Sequence, residues 1–226
     1  MMVGRACALS ARDGSRLGGE PRFVDLLAPL RRVARRAVRR RQVARAYDMA
    51  KEIAPDLIPE AQLLDVGCGS GFIAHHLVAL RGARVVGVDV ARTTEAAIPY
   101  TRYEGRYLPF DDATFDAVLL CYVLHHSADP TLLVREVRRV LRPGGRLVVY
   151  EDLPITPFDR FLCWRHEAAW RARTGPCTFL DEAGWRAVFS AAGLSVHAVR
   201  RLSRWRNAGN PVARVRFVLE AEGSLP

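Results

Sequence analysis

The stretch Leu63-Leu64-Asp65-Val66-Gly67-Cys68-Gly69-Ser70-Gly71, "LLDVGCGSG", decides how the rest of the chain is read. An apolar run ending in an acid and then in alternate glycines describes a buried strand that enters a loop able to approach a ligand closely. Dinucleotides, nucleoside triphosphates and S-adenosylmethionine (SAM) are all candidates for such a loop. The dinucleotide pattern G-x-G-x-x-G needs its third glycine at position 72, where Phe72 stands. A G-x-x-x-x-G-K-[ST] phosphate loop starting at Gly67 meets the same Phe72, with no lysine near. Both phosphate-binding readings weaken. What remains is strand, acid, G-x-G-x-G and helix, with a second acid, Asp89, twenty residues after Gly69.

Outward from this loop the chain keeps a strand–helix rhythm. Strands are expected at 62–66, 84–89, 101–104, 115–122 and 146–150, with helices at 72–80 and 130–141. The second helix ends in "RPGG" (Arg142 to Gly145), the Pro and Gly that helix C-termini favour. Strands such as "RVVGVD" and "RLVVY" lack alternation and suit a parallel sheet buried on both faces. A helix near 181–192 and strands near 195–199 and 212–221 complete a doubly wound, seven-stranded, mostly parallel α/β sheet. Residues 1–22 read as a disordered leader, 23–58 as a basic amphipathic helical segment, and 59–226 as the main domain with a lid insert at about 153–180.

This order of motifs resembles the class I SAM-dependent methyltransferases, which share a Rossmann-like fold. The first motif is matched by "LLDVGCGSG", the second by "VVGVD", the third region by "YEGRYLPFDDATFD", the fourth by "AVLLCYVLHHSADP" and the helix exit by "VLRPGGRLVV". The ordering is most similar to the branch of ubiquinone and menaquinone C-methyltransferases and many small-molecule methyltransferases. Two departures stand out: the segment from Asp89 to Tyr103 is short, leaving a stunted second helix, and the third acid is Glu104 where the family usually has Asp.

The resemblance implies SAM as cofactor and assigns residues to it. Gly67, Gly69 and Gly71 leave room for backbone to touch the methionine and ribose portion, Asp65 meets the cationic amino group, and Asp89 accepts from the ribose hydroxyls. Glu104 takes the adenine amino group, Val90 and Leu108 sandwich the ring, Cys68 contacts the cofactor through its backbone without thiol chemistry, and Cys121 is a further cofactor-binding residue. Methyl transfer from a sulfonium can be accelerated largely by positioning and exclusion of water, so a general base is optional. Where one is used, His125 and His126, just past the fourth strand, are the candidates; their other role is to order the loop or pack beside the cofactor. A metal is not expected, since neighbours on an extended loop cannot face one ion without a third ligand. Glu151, Asp152, Tyr47 and Trp164 are the substrate-side candidates.

Composition narrows the partners. The net charge of +10 would suggest nucleic acid, but Lys51 is the only lysine, and an arginine-rich, alanine-rich chain reads as coding bias. The N/D-P-P-[YFW] motif of nucleobase methylation is absent: the position after the fourth strand reads Cys121-Tyr122-Val123-Leu124, and Pro176-Cys177 lies too far downstream to be the nucleophile of a cytosine enzyme. Five scattered cysteines fit a reducing compartment, and the default location is cytoplasmic. Aromatic residues between Phe158 and Trp170 favour a small lipophilic acceptor such as a quinone, lipid, terpenoid or secondary metabolite. The basic segment around Arg31 to Arg41 adds a peripheral membrane-surface contact as an expectation. An RNA methyltransferase using that segment, and a non-catalytic SAM-binding accessory protein, are the competing readings.

Overall fold

The computed structural model describes residues 28–221, in two units that divide after Arg40. The expected leader, 1–22, lies outside the described residues. A long helix, α1 (Ala28–Ile53), runs through the division. Up to Arg40, its apolar Leu30, Val33 and Val38 are exposed among the arginines. In the second unit, Ala46, Ala50 and Ile53 of the same helix are buried. No described helix is long and apolar enough to cross a membrane.

The second unit contains one seven-stranded sheet in the order β3-β2-β1-β4-β5-β7-β6. Its strands are β1 (Gln62–Val66), β2 (Arg84–Asp89), β3 (Tyr100–Arg102), β4 (Phe115–Cys121), β5 (Leu141–Leu153), β6 (Leu194–Leu202) and β7 (Ala213–Ala221). The first five pair in parallel, and β7 is antiparallel to both neighbours. Four further helices follow: α2 (Phe72–Arg81), α3 (Pro130–Val140), α4 (Pro157–Thr174) and α5 (Glu182–Ser190). The sheet is seven-stranded and mostly parallel, as expected.

Both faces of the central strands are buried, and alternate side chains sort between two cores. Leu64, Val66, Val118, Leu120, Leu147 and Val149 meet α3 and α5, including the fully buried Trp185 and Phe189. Leu63, Ala117, Leu119, Val148 and Tyr150 meet α1 and α2 through Ala50, Ile53, Ala74 and Leu77. The strand order reverses between β1 and β4, so their C-terminal ends diverge and open a crevice, where open α/β sheets bind ligands.

Three expectations need correction. β5 is longer than 146–150 because Leu141 already pairs with Phe115; the register then shifts, and pairing resumes at Ala117 with Arg146, so "RPGG" bulges out of the ladder. β3 ends before Glu104 because it has only the last three residues of β2 to pair with. The expected stunted second helix is absent: the crossover from Asp89 to β3 is too short for one and contains no helix. It is tied back to the glycine loop by the Ala96 N–H, which donates to the Ser70 carbonyl at 2.9 Å.

The irregular segment after β3 is fastened by Arg139 of α3. Its guanidinium donates to the carbonyls of Phe110 at 2.8 Å and Leu108 at 3.0 Å, and to Asp112 and Glu136, each at 2.8 Å. Glu136 in turn accepts the Leu108 N–H at 3.0 Å. Replacing Arg139 with Ala strands two half-buried carbonyls, and each unmade buried hydrogen bond costs about 1–3 kcal/mol. Arg139→Ala is therefore expected to lower the urea midpoint by an amount equivalent to about 1–3 kcal/mol, and an unchanged midpoint would contradict this fastening.

Candidate active site

The loop after β1 is built by three left-handed glycines, with φ of +68° at Gly67, +51° at Gly69 and +73° at Gly71. A side chain at Gly67 would bring a Cβ 2.4 Å from Val123, and one at Gly71 would lie 2.6 Å from the Thr94 hydroxyl. At Gly69 nothing stands within 4 Å of that position, because it faces the cavity. Asp89 holds the loop: one carboxylate oxygen accepts the Gly69 N–H at 2.8 Å, and the other accepts the Ala91 N–H at 2.9 Å. Each oxygen keeps a lone pair for a further donor.

Asp65 sits beneath this loop, buried, with one carboxylate oxygen lacking a hydrogen-bond partner. Burial, and then the nearby Asp89 carboxylate, push its pKa up to about 7. An acid so poorly compensated suits a cationic group arriving above it. The glycine cradle, the open space at Gly69 and the uncompensated Asp65 fit a ligand with an ammonium end and a diol.

A cavity of about 1350 Å³ extends from the loop to α4. Gly67, Gly69, Asp89, Val90, Glu104, His125, His126 and Asp152 of the expected set line it. Other expected residues lie off its wall. Cys68 packs its sulfur towards Gly87, and Gly71 closes the N-terminus of α2. Cys121 faces the core, and its thiol is pushed far up by burial and then by Asp65, so it stays protonated. Leu108 belongs to the core cluster and leaves Val90 without the partner expected across a ring. Tyr47 packs edge-on against His76 at 5.2 Å, whereas Arg45, Asp48 and Met49 form the face of α1 that lines the cavity. Trp164 is 62% exposed; the cavity face of α4 is formed by Arg165, His166, Ala169, Trp170 and Arg173.

Beyond β4 the chain turns sharply. Tyr122 has a positive φ of 61°, a costly conformation for an aromatic residue, and Leu124–His126 form a single 3-10 turn. The two histidines thus sit on a tight turn, where an extended loop was expected, and their rings lie 4.3 Å apart. Glu151, fully buried at the end of β5, accepts the Leu124 N–H at 2.8 Å and meets His125 Nδ1 at 2.5 Å. Burial opposes charging of His125, but Glu151 outweighs it and the pKa is raised. His126 is held down to about 3 by burial and then by His125 and His166, so it is neutral near pH 7.

Sequence reasoning missed His166. Its Nε2 lies 3.1 Å from His126 Nε2, and its ring stacks on Trp170. It also missed Thr174 and Cys177, which approach His126 Nδ1 at 3.1 and 3.4 Å. Beside Glu151, Asp152 pairs with Arg214 at 2.9 Å. Burial still leads, raising the Asp152 pKa to about 6 against the pull of Arg214.

Residues 64–149 match a family model described as a methyltransferase domain. The chain is 30% identical over 188 residues to the demethylmenaquinone methyltransferase of Thermobifida fusca, covering 70% of this chain and 79% of that protein. It is 34% identical over 115 residues to the demethylmenaquinone methyltransferase of Streptomyces griseus, covering 48% of this chain and half of the relative's length. Among solved structures, the [4+2]-cyclase SpnF superposes with a TM-score of 0.65 at 17% identity, over 79% of this chain and 82% of that one. That likeness concerns the fold.

The glycine loop can be tested through its neighbour. Gly67→Ala forces a left-handed alanine, at about 1–2 kcal/mol, and drives its methyl into Val123. The variant should unfold at lower urea by at least the backbone cost, and adding Val123→Ala should restore only the remainder. Full recovery in the double variant would show that the backbone conformation costs nothing.

Proposed function

Given that the chain belongs to the class I SAM-dependent methyltransferases, we propose that it methylates a small, largely apolar acceptor of the quinol or hydroxylated-aromatic type. The observation that carries this is the cavity. Drug-sized ligands occupy roughly 300–1,000 Å³, and a cavity of about 1350 Å³ running from the glycine loop to the lid helix has room for a second molecule beside the cofactor. The relatives named as demethylmenaquinone methyltransferases support the acceptor class.

SAM, when bound, supplies a methyl group already activated on a sulfonium. The chain's residues then bind, orient and exclude water. Asp89 accepts from the ribose diol while continuing to hold Gly69, Asp65 meets the ammonium group, and Glu104 with Val90 receives the adenine. At the far end, Trp170 and Met49 offer apolar surface, and His126 is a neutral hydrogen-bonding group. A group held near pKa 3 is a weak base at neutral pH, so alignment and dehydration of the acceptor supply most of the acceleration. The lid's contribution is more polar than its aromatic content suggested. Phe158, Phe161 and Trp164 are exposed, and Arg165 and Arg173 reach the cavity wall. These cations favour an acceptor with an electron-rich oxygen at one end.

Incubation with methyl-labelled SAM and a panel of demethylated quinols, RNA and host protein tests the reading. Label should enter the organic-soluble fraction; transfer to RNA would overturn the acceptor class, and cofactor binding without transfer to any acceptor would favour an accessory role.

Asp89→Ala should weaken SAM binding at least tenfold by calorimetry. Proton linkage tests Asp65 separately. With a pKa near 7 the acid is mostly protonated at pH 6, and an incoming ammonium group favours its ionised form. Binding at pH 6 should release up to about one proton, falling towards zero by pH 8.5. Calorimetry in two buffers of different ionisation heat measures this, and Asp65→Asn should abolish the release. Equal release from the variant would remove Asp65 from the role.

A further inference from the structure

We propose that His125, His126 and His166 bind a divalent transition metal of the Zn²⁺ type, with one coordination position open to the cavity. One ligand atom from each ring lies within 4.8 Å of the others, and the Nε2 atoms of His126 and His166 are 3.1 Å apart. Two imidazole nitrogens on one tetrahedral Zn²⁺ stand about 3.4 Å apart, from bonds of about 2.0–2.1 Å. Small side-chain rotations therefore suffice to gather the three.

The hydrogen bonds on the outer sides of the rings fix which nitrogen of His125 and His126 carries a proton. His125 Nδ1 faces the Glu151 carboxylate at 2.5 Å and is the donor there, so in the neutral ring Nε2 is the nitrogen with the lone pair. That Nε2 is buried and has no hydrogen-bond partner among the described residues. His126 Nδ1 faces Thr174 Oγ1 at 3.1 Å, and the Thr174 hydroxyl donates onward to the Trp170 carbonyl. The hydroxyl oxygen therefore accepts from His126 Nδ1–H, and Nε2 of His126 is again a lone pair. A proton on His166 would satisfy the contact between His126 and His166 but would leave His125 Nε2 orphaned. A metal ion satisfies all three.

The surroundings match a metal centre in two further respects. Ligating histidines usually pass their second N–H to a carboxylate or another oxygen, and here Glu151 and Thr174 are those partners. Cys177 approaches His126 from the Nδ1 side, away from the cluster, and is not a ligand. Three imidazoles select Zn²⁺, Co²⁺ or Ni²⁺ over Mg²⁺, and three protein ligands with one open position describe a catalytic rather than a structural site. The cluster lies on the cavity wall, since His125, His126 and His166 all line it. If the acceptor is the hydroxylated molecule proposed above, its oxygen takes the open position and its proton leaves to solvent; this last step rests on that reading, and the metal site does not.

The test uses the purified full-length protein, stripped by chelation and titrated with Co²⁺. One Co²⁺ per chain is expected, with the visible absorption of a low-symmetry four- or five-coordinate ion, displaced by Zn²⁺ and unaffected by excess Mg²⁺. His166→Ala should lose the absorption and bind at least 100-fold more weakly, and Thr174→Val should weaken binding about 10- to 100-fold, the range for loss of an orienting partner. SAM binding, measured in parallel, should persist in both variants and certifies their fold. Absence of stoichiometric Co²⁺ binding, or retention of the absorption in His166→Ala, overturns the proposal. Metal binding with no methylation of any hydroxylated acceptor overturns the acceptor reading and leaves the site intact.

Discussion

The fully buried Glu151 is the constraint on which the catalytic end of the molecule depends. It lies near the C-terminal end of β5, and its two oxygens are committed to the turn after the neighbouring β4, one to the Leu124 N–H and one to His125. A buried carboxylate without partners would be expensive, so the turn after β4 must place a donor on each oxygen. This requirement accounts for the left-handed backbone at Tyr122. The turn spends conformational energy so that two adjacent residues can face one acid. The turn after β4, held by β5, thus becomes a fixed wall on one side of the crevice between β1 and β4.

The same economy operates on the other side of the crevice. Asp89 does not wait for a ligand in an unformed loop, because it already accepts the Gly69 N–H. A cofactor that replaces water on its remaining lone pairs meets a loop whose entropy has been lost in folding. The crossover from β2 to β3 reinforces this, since Ala96 bonds back to Ser70 in the loop and Gly71 is overlaid by Thr94 and Ile98. The short crossover contains no helix, and its Thr94, Ala96 and Ile98 side chains lie against Gly71 while Gly69 stays open.

How much of this could be read beforehand followed from burial. β1 and β2 have the expected limits because their side chains are apolar on both faces, and the glycine loop is legible because alternate glycines after an acid have few other uses. Asp65, Asp89, Glu104, His125 and His126 each lie within five residues of a strand end, so locating the strand located the residue. His166 had no such anchor. It lies forty residues from His126 on a helix whose orientation was unknown, and only its spacing to Trp170, one turn on the same face, hinted at a shared surface. Trp164 and Tyr47 failed for the complementary reason: being on the right helix is not enough when the side chain points 100° or more away.

The lid helix illustrates how phase governs chemistry. Phe161 and Trp164 stand about 120–180° around α4 from Trp170, and each is more than half exposed. An aromatic count over the segment therefore overstates how apolar the cavity is. Its inner face presents His166, Trp170 and two arginines to the cavity. Asp159, buried in the first turn of α4, accepts from Thr156 and from the Ala213 N–H of β7. Because that carboxylate ties the helix to the sheet, the rotational setting of α4 is determined at its base. The position of His166 two turns later follows from it, and the lid acts as a braced wall of the site.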